Sequence, residues 1–94
     1  MTKLRETKKD IDYLVSEVIS NCYTCLYFHP EKGRAEIFSI IEDAVDLRNE
    51  LVDRANNPAE PKNRSLVRKH YVALRNDMFN KIDELFERLS TACK

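Results

Sequence analysis

Cys22-Tyr23-Thr24-Cys25 is a C-x-x-C, and His29 follows it on the same helical face. Two thiolates and an imidazole, joined by Cys93 where the chain folds back, have the donor set of a tetrahedral zinc site. The spacing speaks for packing instead. Both cysteines fall inside an apolar helical stripe, where a free thiol packs as a small hydrophobe. Zinc-binding pairs usually sit on tight turns that aim both sulfurs at one point, and thioredoxin-like redox use needs a preceding strand. Neither context is present, so no metal and no cofactor is assigned. Three cysteines, an odd number in helical segments, fit a reducing compartment better than a disulfide scaffold.

A second group is basic. Lys62, Arg64, Arg68, Lys69 and Arg75 stand between residues 62 and 76 without one acid, and His70 lies among them. Cations at the start of a helix oppose its macrodipole unless an anion sits there. Antiparallel packing would bring Lys3, Arg5, Lys8 and Lys9 to the same end. Such an end can contact an anion or RNA phosphates. Glu6, Asp10, Asp12, Glu50, Asp53 and Glu60 gather there too, and only Tyr71 is placed to stack on a base. A solvated, mixed-charge end is therefore the preferred reading. Arg64 and His70 resemble the Arg-x(4–6)-His signature of the helical HEPN ribonucleases, over seven residues of the chain. The resemblance implies in-line RNA cleavage by an arginine and a histidine, usually in a dimer cleft, with Ser65 where that family often has another polar residue. It stands as the alternative to a non-enzymatic role.

Arg48 lies at the centre of the apolar arc of its helix, and Arg75 lies between two apolar rows. An unpaired buried guanidinium is too costly, so each is expected to form a buried ion pair or to snorkel. Glu17 and Asp77 are the expected acids for Arg48; Asp43, Asp46 or Glu50 are those for Arg75. Tyr13, Tyr23 and Tyr27 fall on the far side of their helix from its core stripe. Val72, Phe79, Phe86 and Cys93 recur every seven residues beside the main stripe of theirs. Three helices do not readily cover both sets. Aromatic side chains outside the core and rimmed by charge are the mark of a protein interface. Tyr13, Tyr23, Tyr27, Val72, Phe79 and Phe86 are therefore the expected contact residues, for a second copy of the chain or another protein.

These side chains are positioned by three long segments. Gly33 is the only glycine, and Pro30, Pro58 and Pro61 are the only prolines. All four fall in two short zones, which predicts helices over about 7–28, 34–56 and 64–93. Thr7-Lys8-Lys9-Asp10 reads as a capping box opening the first. Asn56-Asn57-Pro58 reads as a left-handed stop to the second, and Asn63 or Ser65 as the cap of the third. Apolar residues recur at helical spacing in all three. Short links favour antiparallel neighbours. The expected fold is all-α, a single-domain antiparallel up-down-up three-helix bundle, with dimerisation as a way to complete it.

Composition agrees. The chain has 94 residues, with 16 basic against 16 acidic side chains and 43% hydrophobic content, the balance of a folded domain. No apolar run approaches the ~18 residues of a membrane span. The charged stretch Met1–Lys9 has no apolar region of a secretory signal, and a cytoplasmic location is expected. In length and layout the chain, from Lys8-Lys9-Asp10-Ile11-Asp12-Tyr13-Leu14 to Asp83-Glu84-Leu85-Phe86-Glu87-Arg88-Leu89, resembles a small all-helical bacterial family of unknown function. That resemblance implies the fold and no activity.

Overall fold

The computed structural model describes residues 2–31, 33–58 and 60–93, with side chains in the first helix from Leu4 onward. Lys32 and the Lys3 side chain lie outside the described residues. Three helices follow one another: α1 (Thr2–Phe28), α2 (Arg34–Asn56) and α3 (Arg64–Ala92). Asp10 of α1 meets Arg75 of α3 and Cys25 meets Cys93, so α1 and α3 run parallel. Glu36 of α2 meets Arg88 and Arg54 meets Asp77, so α2 runs against them. This is the expected all-α, up-down-up bundle. It is a rod, with Cα extents of 52 × 18 × 14 Å.

One stripe from each helix makes the core. Ile11, Val15, Val18 and Cys22 of α1 face Ile37, Ile40, Ala44 and Leu51 of α2 and Leu74, Met78 and Ile82 of α3. Truncating any of the large ones to alanine costs about 2–5 kcal/mol by lost burial and cavity formation. α1 starts five residues earlier than the capping box implies. Thr7 does not begin the helix; it is 1% exposed within it. The physical reason is the unbroken run Lys3-Leu4-Arg5-Glu6, all good helix formers, which carries the helix back past Thr7.

The two links use different devices. Gly33 caps α2 in the left-handed region, at φ 60°. A Cβ there would lie 2.7 Å from the carbonyl oxygen of Ala92. Glycine thus allows both the turn and the close approach of α3's end. The second link departs from expectation. Asn57 is not left-handed, at φ −128°, because the residue before a proline is pushed towards extended backbone. Its amide instead donates to the Asp53 carbonyl at 2.8 Å, and Glu60 takes the left-handed position, at φ 51°. Asn63 is the cap of α3, its side-chain oxygen accepting from the Leu66 N–H at 3.2 Å.

Gly33→Ala is expected to destabilise the fold by about 1–2 kcal/mol, from the left-handed strain alone. That lowers the melting temperature by roughly 5–10 °C for a domain of this size. A thermal melt followed by circular dichroism checks it; an unchanged midpoint would remove both the left-handed strain and the close approach to Ala92 as constraints.

Candidate interaction surface

The ion pairs set how the helices are turned. Arg48 donates to Asp12 at 2.8 Å, joining α2 to α1. Arg75 reaches Asp10 at 2.9 Å, joining α3 to α1. Arg54 reaches Asp77 at 3.0 Å, and Arg88 grips both Glu36 and Asp43 at 2.8 and 2.7 Å, joining α2 to α3. Hydrogen bonds from Arg88 to Asp43 and then Glu36 raise its pKa above the ordinary guanidinium value. Arg48 and Arg75 are therefore not buried pairs, and their acids are not the expected ones. Their side chains are 45% and 37% exposed. Each sits at the edge of the core arc, so its stem follows the apolar surface outward and its head meets the acid on the flank of α1. Exposed pairs of this kind contribute about 0–1 kcal/mol each. Their larger effect is to hold the azimuth of each helix.

The cysteines separate into two roles. Cys25 and Cys93 form a disulfide, their Cα atoms 5.9 Å apart. This departs from the reading of three packed thiols. Parallel α1 and α3 end side by side, and Cys93, the C-cap of α3, turns in against the last turn of α1. Cys22 is fully buried, and desolvation raises its thiol pKa. His29 is exposed, its backbone N–H closing the end of α1 on the Cys25 carbonyl at 2.8 Å. Among the described residues no three His, Cys, Asp or Glu side chains are grouped to hold a metal.

At the basic end the expected residues divide. Lys62, Arg64 and Arg68 rim a groove floored by Leu4, Pro58, Pro61, Val67 and Tyr71, and no acid lines it. Lys69 and His70 do not line it. The His70 ring turns towards α2, its Nε2 2.7 Å from the Arg54 carbonyl oxygen, and the buried Tyr71 hydroxyl donates to the Ala55 carbonyl at 2.9 Å. Two α3 side chains thus satisfy the terminal carbonyls of α2. Six positions apart on a helix, Arg64 and His70 lie ~120° apart around the axis and ~9 Å apart along it.

The expected contact residues are largely outside the core. Tyr13, Tyr23 and Tyr27 are exposed, as are Val72 and Phe79, while Phe86 is half-buried against the core. On α2, Phe38 and Val45 stand on the exposed flank of the apolar stripe, Phe38 under the Arg34 guanidinium at 5.6 Å. Ser16, Ser20, Tyr23, Thr24, Tyr27 and Phe28 line one shallow depression on α1. Thr24, Phe28, Phe86 and the Cys25–Cys93 bond line a second, between α1 and α3. Thr24 and Phe28 belong to both, so the two are continuous. Tyr13 shares the outer face of α1 but stands ~15 Å below Tyr23. Phe28, 67% exposed, is the residue the sequence reading missed. Its signal was present: residues 18–30 hold no Asp, Glu, Lys or Arg, in a chain that is 34% charged.

The chain matches no family model, no curated protein and no solved structure.

Cys93→Ser is expected to lower the stability of the oxidised protein by about 2–4 kcal/mol, as the linked loop spans most of the chain. It should leave the reduced protein nearly unchanged. Urea melts with and without a thiol reductant, run on both proteins, distinguish the two conditions.

Proposed function

We propose that this protein is a non-enzymatic interaction module that associates with itself, as a dimer, through the long side of the rod. The observation that carries this reading is the exposed apolar row Val72–Phe79 on α3, continued through the half-buried Phe86 to Phe28 on α1. The amount of surface supports it. A compact monomer of 11.1 kDa exposes about 5,650 Å², whereas this rod exposes 6512 Å². The excess goes with the 52 × 18 × 14 Å rod shape, whose long side is large enough for the ~800 Å² that one partner contributes to a standard interface. Among the described residues no helix is long and apolar enough to cross a membrane. A cytoplasmic location belongs to the same proposal. In a reducing compartment the Cys25–Cys93 pair opens to two thiols.

A second reading is favoured by one observation, the acid-free groove rimmed by Lys62, Arg64 and Arg68. Guanidinium and ammonium groups without a carboxylate nearby suit an anion, including RNA phosphates. Hydrolysis through Arg64 and His70 is the enzymatic form of this reading. Binding of single-stranded RNA that weakens with salt, and falls at least about tenfold on Lys62→Glu with Arg64→Glu, would support it. No binding at low salt would end it.

For the first reading, light scattering at micromolar concentration is expected to give twice the chain mass. Phe79→Glu should shift the protein to its monomer mass with unchanged helicity, because a buried unpaired carboxylate costs several kcal/mol in a dimer and little on a wet surface. A wild-type protein that stays monomeric would sink the reading.

A further inference from the structure

The third helix carries a pattern that selects both the partner and the way it lies. Val72, Phe79 and Phe86 recur at seven, and a heptad row drifts by ~20° per step around a straight helix, the drift that left-handed helix pairing takes up. Charge along the helix changes sign near the middle residue of this row. Residues 62–76 hold five basic side chains and no acid, while Asp77, Asp83, Glu84 and Glu87 follow against Lys81 and Arg88. Some of these are engaged within the molecule: Arg75 with Asp10, Asp77 with Arg54, Arg88 with Glu36 and Asp43. Arg68, Lys69, Asp83 and Glu87 flank the row and have no ion-pair partner among the described residues.

A helix face with an apolar row and opposite charge at its two ends complements itself when turned end for end. Val72 and Phe86 lie seven residues to either side of Phe79. Rotation about a two-fold axis through Phe79 therefore sets Phe79 on its own copy and Val72 on the second copy's Phe86. Arg68 and Lys69 come within a helical turn of the second copy's Glu87, and Arg75 comes level with its Asp83. A parallel pair would set like charge on like, which costs several kcal/mol. The Arg75 guanidinium, 5.9 Å over the Phe79 ring, helps hold that ring at the centre.

We propose that two copies of this chain pair through α3, antiparallel and centred on Phe79, so that the basic half of each α3 lies on the acidic half of the other. The arrangement is closed, each copy using the same patch. It places a fourth helix against the open α1–α3 side of each bundle. The inference rests on the self-association reading and adds its geometry.

The test uses two charge variants of the full chain. Arg68→Glu with Lys69→Glu puts acid at both ends of the row; Asp83→Lys with Glu87→Lys puts base at both ends. All four positions are exposed and outside the core, and circular dichroism confirms each fold. Each variant alone is expected to dimerise at least about 100-fold more weakly than wild type, and an equimolar mixture to recover a heterodimer. Analytical ultracentrifugation at several concentrations reads all four samples. A wild-type monomer would overturn the self-association reading together with this inference. A wild-type dimer whose variants dimerise equally well alone would overturn the α3 pairing only and move the interface to the tyrosine face of α1. A mixture that stays monomeric would likewise overturn the antiparallel register.

Discussion

Three helices side by side share one seam, and the seam takes only a narrow stripe from each. On α3 the buried positions are Tyr71, Leu74, Met78, Ile82, Leu85 and Leu89, an arc of roughly 80° at helical spacing. The apolar residues of the helix extend further round than that. Val72 and Phe79 fall past the edge, and Phe86 sits on it. The same limit leaves Phe38 and Val45 on the flank of α2 and Tyr23 and Tyr27 on α1. What this protein can do is set by the surplus, because the seam has no room for it and water does not favour it.

The flanks are also where the arginines act. Arg48, Arg54, Arg75 and Arg88 each cross from one helix to another, and between them they link all three helix pairs. Individually such contacts contribute little to stability. Together they reinforce the one rotation of each helix that buries its apolar stripe. That rotation decides which residues become surplus. Arg75 does both, pairing with Asp10 and lying over Phe79, so the setting of the bundle and the shape of its apolar row share a residue.

The helices were legible because glycine and proline occur only at the links, and periodicity within each segment is strong. The ends were less so. Thr7 carries the right hydroxyl for a cap, but nothing before it stops the helix, and a cap signal is only as good as the break it marks. Asn57 was misread for a related reason: the tolerance of asparagine for the left-handed region yielded to the proline after it. Of the candidate surface, the heptad row of α3 and the tyrosines of α1 were readable from azimuth alone. Phe28 was not readable from azimuth; its signal was the uncharged stretch 18–30 in which it stands.

By itself the sequence determined the number and order of the helices and most of the residues each turns inward. These follow from local dihedral preferences and from a period that needs no partner to be read. It also determined that α1 and α3 run parallel, because two short links permit little else. Tertiary structure alone decided the pairing of charges. Arg48 could reach several acids within a turn of its level, and a rotation of one helix by a fraction of a turn exchanges Glu17 for Asp12. The assembled bundle also brought Cys25, not Cys22, to Cys93, and turned His70 inward to the end of α2. Side-chain partners across helices depend on relative azimuth and height to within a few ångströms, and those are properties of the assembled bundle.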